Sequence, residues 1–285
     1  MQHHRRSGIQ LLLAAVLVLS PFHLADAEEK SAKNIEETPA EASEADLSKL
    51  RELFEELAPS PAKDTLLRIP DLGRRLLALR SYSRAGRSLR KRWSWTAAQI
   101  KAYQGSPEQQ ALLEEVAAIA AHFAEANPGY ELFMITKVRS LDVQTKNWNH
   151  NRSVKRGGDQ ILADWTEKFT GEGKFAGDWT KKQFWRWLNT YRVKTRARLA
   201  APGLSRHGQA RAIDFQIKKD GEIIAGTKFS DVAKVWRAEE WDKKLKASIE
   251  EAGPSFRGPL MLPPEPWHYD YEPKPPKEAV KPASG

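Results

Sequence analysis

Cysteine is absent from all 285 residues, which excludes a disulfide framework and a lipid-bearing cysteine anchor. Histidine is scarce: of seven, His3, His4 and His23 lie near the N-terminus, leaving His122, His150, His207 and His268. An apolar run long enough to cross a bilayer is missing as well. The best candidate, Ile9 to Leu19, is too short to span comfortably. With Arg5-Arg6 before it and the small-residue segment Ala25-Asp26-Ala27 after it, it reads as a secretory signal cut after Ala27. Residues 1–27 are therefore expected to be removed, leaving an exported chain with no transmembrane anchor. Without disulfides, such a chain relies on its core and on any metal it binds.

What the chain does contain is two short segments with the parts of a metal site. The first is Ser205-Arg-His207-Gly-Gln-Ala-Arg-Ala-Ile-Asp214, and the second is Glu265-Pro-Trp-His268. Hydrolytic zinc is typically held by three N or O side chains, which leaves one position for an acidified water. His207, Asp214 and His268 fit that set for one zinc per chain, with Glu265 left over as a base. In residues 211–217 the alternation sends Ile213, Phe215 and Ile217 to one face and Asp214 to the other, as in a half-buried strand. Aspartate is depleted in strands, and a metal explains it here. Lys219-Asp220-Gly221-Glu222 reads as a hairpin turn. Pro263, Pro264 and Pro266 favour extended, polyproline-like backbone, whose threefold repeat would point Glu265 and His268 to one side. Either segment alone is ordinary; the two in order are specific. His122 in an apolar helical run and His150 in a polar loop lack partners at ligand spacing. Ser205, His207 and Asp214 are not a nucleophilic triad, because no nucleophile elbow accompanies them.

The pattern S-x-H, four residues, A-x-D, then E-P-W-H-Y resembles the zinc D-Ala-D-Ala carboxypeptidases of the vancomycin-resistance type, in the group that includes lysostaphin-like endopeptidases and the hedgehog signalling domain. The resemblance covers roughly Pro107 to Tyr271. It implies that His207, Asp214 and His268 bind zinc, that Glu265 is the general base and that Ser205 lies beside the substrate. Val138-Arg139-Ser140 with Gln144 is similar to the family's R-S-x-x-x-Q segment, which implies that Arg139 meets a substrate oxygen and that Gln144 binds substrate. The chain departs in having Ala210 where the family usually has Gly, a residue suited to unusual backbone angles, and in having Thr136-Lys137-Val138 where the family has S-G-Y. The implied substrates are peptidoglycan stem peptides; removal of a terminal D-Ala, an L,D-cut, opening of a cross-link, or wall binding without catalysis all stay open. A net charge of +9 ordinarily suggests nucleic acid. Export excludes that partner and leaves the anionic surfaces of a bacterial periplasm or envelope.

Composition divides the rest. Residues 28–45, rich in Glu, Ala, Ser and Lys, are expected to be a disordered tether. Residues 46–105 are expected to form a basic helical extension, beginning with a helix over 46–58. Its stretch Arg68 to Arg92 is either a solvated helix face or a dock for anionic wall polymer. Trp93 and Trp95 beside it suit core anchoring or sugar stacking. Residues 106–272 are the expected metallopeptidase domain: a helix started by Ser106-Pro107, a strand over 130–138, irregular structure through Trp165 and Phe175, a helix from Thr180, and another over 233–251. Residues 273–285 are an expected flexible Pro/Lys tail. Gly171 to Gly177 lacks the spacing and preceding strand of a phosphate loop. The expected fold is α+β: a small antiparallel sheet flanked by helices, bearing a zinc cleft, with the helical extension in front.

Overall fold

A computed structural model describes residues 42–177 and 179–273. The expected signal at 1–27, the tether up to residue 41 and the tail from 274 lie outside the described residues. The chain runs through helices α1 (Glu44–Leu57), α2 (Lys63–Leu67), α3 (Leu72–Ala85), α4 (Leu89–Arg92), α5 (Ala97–Tyr103) and α6 (Pro107–Ala126) to strand β1 (Tyr130–Met134). Helices α7 (Leu141–His150), α8 (Arg152–Phe169) and α9 (Lys181–Thr190) follow, then β2 (Ala212–Lys219), β3 (Glu222–Ala225), α10 (Trp241–Ala252), β4 (Phe256–Arg257) and β5 (His268–Tyr271). The fold is α+β, with every strand pair among the described residues antiparallel. No described helix is long and apolar enough to cross a membrane.

Among the described residues two hydrophobic cores form. The first joins Leu50, Phe54, Leu76 and Leu79 to Trp148, Trp165, Phe169 and Phe184. The second joins Leu112 and Phe123 of α6 and Leu245 of α10 to Ile213, Phe215 and Ile217 of β2, with Trp267 and Tyr269. The helices expected at 46–105 are present, but the early ones share a core with residues 148–204, so the boundary expected at 105/106 does not separate the cores. The join is intimate because α3 and α8 meet at glycines. A Cβ on Gly73 would lie 2.3 Å from the Gly158 carbonyl oxygen, and one on Gly158 would lie 2.8 Å from the Arg74 nitrogen. Any side chain there would force the helices apart.

Strand β2 organises the second layer. Residues 215–219 pair with β1, residues 217–219 with β3 and residues 212–214 with β5. The turn between β2 and β3 has positive φ at both Asp220 and Gly221 (49° and 83°), as a type I′ loop requires. Ile213, Phe215 and Ile217 are buried while Asp214 is half-buried on the other face, the alternation that a pleated strand imposes.

Several elements differ from the sequence reading. Helix α1 begins at Glu44, two residues early, because the Ser43 hydroxyl accepts from the Asp46 N–H at 3.1 Å and so caps it. Strand β1 stops at Met134, where its partner β2 stops pairing with it. Trp165 and Phe169 belong to α8, buried against Trp179, and His150 closes α7. The helix expected over 233–251 breaks at Glu240, whose φ is +56°, into a π-helical turn Val232–Arg237 and α10.

Candidate metal centre

The register of β2 against β5 sets Asp214 directly opposite His268, and directly opposed residues of an antiparallel pair share a face. The His268 Nδ1 lies 2.9 Å from Asp214 Oδ1. His207 arrives from a single 3-10 turn, Arg206–Gln209, tied down at three points. Its carbonyl accepts from the Arg139 N–H (3.0 Å), the Gly208 N–H donates to the Ser205 carbonyl (2.9 Å), and the Gly208 carbonyl accepts from the Trp95 N–H (2.8 Å). Gly208 fits against Ser94, whose Oγ would sit 2.0 Å from any Cβ added there. The turn ends at Ala210 with φ 53° and ψ 32°, the left-handed conformation that glycine adopts at no steric cost.

His207 Nε2 then stands 3.3 Å from His268 Nδ1 and 3.4 Å from Asp214 Oδ2. One ligand atom from each of the three residues lies within 4.8 Å of the others, a group that can hold a metal ion. The fit can be tested on distances. A tetrahedral ion bound at about 2.0–2.1 Å separates its ligand atoms by roughly 3.3–3.4 Å. Both contacts of His207 match that edge, and the 2.9 Å contact falls somewhat below it.

Charge in the cluster follows from burial and contact. Burial lowers the pKa of His207, outweighing the pull of Asp214, which favours the neutral ring that a ligand must present. Burial pulls His268 down as well, but the Asp214 and Asp270 carboxylates overcome it and raise the ring to about 9. Burial pushes the Asp214 carboxyl up, and its bonds to both imidazoles override this and hold it well below the usual carboxylate range. The histidines shift oppositely on one carboxylate because His268 has the shorter bond and a second carboxylate. Without an ion, a proton on His268 balances the charge of Asp214, and metal must displace it.

Glu265 stands beside this group with Oε2 3.8 Å from His268 Nδ1. Burial raises its pKa, the direction that suits a general base. The two residues do point together, but not through polyproline backbone: Met261 to Pro264 turn back so that Leu260 pairs with Glu265, and the His268 N–H donates to the Glu265 carbonyl at 3.0 Å. Trp267 anchors the turn by packing into the core against Phe229 and Trp236. Arg139 also reaches the cluster, NH2 lying 3.5 Å from Asp214 Oδ2 with its side chain 34% exposed. Ser205, half-buried, opens the His207 turn.

Gln144 lies elsewhere than expected. It is buried, its Nε2 donates to Ser94 Oγ and to the Arg139 carbonyl (both 2.8 Å), and its Oε1 accepts from the Gly203 N–H (3.0 Å). With its amide engaged in this way it braces Arg139 from behind and does not face substrate. Asp270 lies outside both sequence motifs. Its Oδ1 lies 3.4 Å from His268 Nε2, on the ring edge away from the cluster, and 2.9 Å from Arg206 Nε. The signal was there: two residues on from His268 in a strand means the same face. His122 and His150 stand apart from the cluster, contacting Ser248 Oγ (3.1 Å) and the Lys146 carbonyl (2.7 Å).

Compared with known proteins, the chain matches no protein-family model, no curated sequence and no solved structure.

Proposed function

We propose that this chain is a zinc-dependent peptidase, exported to a bacterial envelope, that hydrolyses D-amino-acid-containing stem peptides of peptidoglycan, in the first place as a D-Ala-D-Ala carboxypeptidase. The observation that carries the reading is the meeting of His207 Nε2, Asp214 and His268 Nδ1 with a half-buried Glu265 carboxylate of raised pKa at their side. The substrate class and the identity of the metal rest on the resemblance of the two motifs.

Zinc at such a site supplies a Lewis acid and an acidified water. Glu265 takes the proton of the attacking water and hands it to the departing amine, a transfer helped by a pKa that burial raises. Arg139, anchored through its own N–H to the His207 carbonyl, offers a guanidinium to the developing oxyanion or to the terminal carboxylate of the peptide. Asp270 stands at the far edge of the His268 ring, 3.4 Å from its Nε2, where carboxylates commonly orient metal-bound imidazoles.

The test is elemental analysis of the purified protein together with mass analysis of digested peptidoglycan. About one zinc per chain with loss of a single D-Ala sustains the proposal. Opened cross-links or an L,D-cut would move it to an endopeptidase or L,D-carboxypeptidase, and zinc without any product would leave a wall-binding protein.

A further inference from the structure

The basic stretch Arg68 to Arg92 does not act as one surface. Arg74 donates to the Trp148 carbonyl and Arg75 to the Ile69 carbonyl, and both serve the fold. Arg80, Arg84 and Arg92 instead line a cavity of about 800 Å3, where Arg192 and Arg196 join them. Arg80 and Arg84 come from α3, and Arg192 and Arg196 from the irregular segment after α9. Among the described residues no carboxylate lines the cavity, and none of the five guanidiniums has a carboxylate within 4.0 Å. Arg80 is held by two bonds to the Tyr191 carbonyl (3.0 and 2.6 Å). Five like charges around one concavity repel one another, and a bound anion removes that cost.

Size and lining narrow the ligand. The cavity is many times the volume of one phosphate, so five guanidiniums serve several anionic groups in a row. Leu77, Val193 and Leu199 lie among them and suit short aliphatic units between charges. Trp148, the one aromatic residue lining it, is 1% exposed, so no face is free for a base to stack on, as single-stranded nucleic acid requires. Guanidiniums from two walls approach an anion from different directions, which a tetrahedral phosphate accepts better than a planar carboxylate. A concave site is also out of reach of a flat lipid surface.

We propose that this arginine-lined groove binds a phosphodiester polymer with a non-aromatic, polyol-type repeat. The inference rests on the groove alone and does not need the metal centre. One wall runs through Leu204 straight into the turn of His207, so a chain held here lies along the segment that leads to the proposed site.

The test is titration of the full chain with a fluorescent glycerol-phosphate oligomer of about six units. Binding should weaken steeply as salt rises. Arg192→Gln with Arg196→Gln, both exposed positions, should cost at least about tenfold in affinity, since each loses a charge-assisted contact. Arg87→Gln with Arg90→Gln, which do not line the groove, should cost less than about twofold on the same scale. Circular dichroism and zinc content of both double variants should match the parent, which separates this result from the fate of the metal centre. Equal affinity for parent and the Arg192/Arg196 variant overturns the proposal. So does tighter binding of polyglutamate, an oligothymidylate or phosphatidylglycerol vesicles than of the glycerol-phosphate oligomer.

Discussion

The helical layer and the sheet layer treat buried charge in opposite ways. In the helical layer Arg74 and Arg75 each donate to a backbone carbonyl, of Trp148 and Ile69, and no charged partner is involved. On the sheet, His207, Asp214, His268, Arg139 and Glu265 contact one another. A charge bonded to backbone completes the fold. Charges turned on one another within a few ångströms perturb each other's protonation, which marks a site of chemistry.

Variants can break this contrast in order of expected effect. Glu265→Gln keeps size and polarity, so zinc should stay near one per chain while turnover on a D-Ala-D-Ala peptide falls by roughly two to four orders of magnitude. His207→Ala, Asp214→Ala and His268→Ala should lose zinc and turnover together. A fully active Glu265→Gln protein would remove that residue from the mechanism, and one without zinc would make it a ligand. Gly73→Ala should do the reverse: it drives a methyl into the Gly158 carbonyl and should cost about 3 kcal/mol in denaturant unfolding, with zinc bound normally in the folded fraction. Asp270→Asn should leave the fold intact and weaken zinc about 10- to 100-fold in chelator competition.

A pH effect separates the two regions more gently. The His268 ring has its pKa raised to about 9 from 6.5, so the stability it adds to metal-free protein is complete below pH 6.5 and disappears as pH rises through 9. Thermal scans of metal-free protein should fall by a few degrees across that window. With zinc bound the ring carries no proton and that slope should vanish. The smallest effect belongs to Ala210→Gly, which relieves a left-handed alanine and should stabilise the protein by at most about 1 kcal/mol.

How much of this was legible depended on range. Asp214 could be placed on the outer face of its strand because alternation is local, and the Asp220-Gly221 turn carried its own signature. The glycine contact of α3 with α8 joins residues 73 and 158, and no local pattern announces it, so the early helices looked like an extension. The proline segment misled because proline restricts φ without choosing between an extended run and a reversal. Gln144 followed a motif match that says nothing of what already occupies its amide. Asp270 is legible in principle, since it shares a strand face with His268, but it lies outside both motifs.

The register of β2 against β5 has a temporal consequence. His207 and Asp214 are neighbours in the chain, but His268 follows more than fifty residues later, and it meets Asp214 only if β5 docks in one alignment. A one-residue slip would turn His268 away from Asp214 and expose Tyr269 in its place. During synthesis the nascent chain therefore carries an incomplete ligand group until residue 268 has emerged and found its place. Any product cut short before that point lacks one of the three ligands.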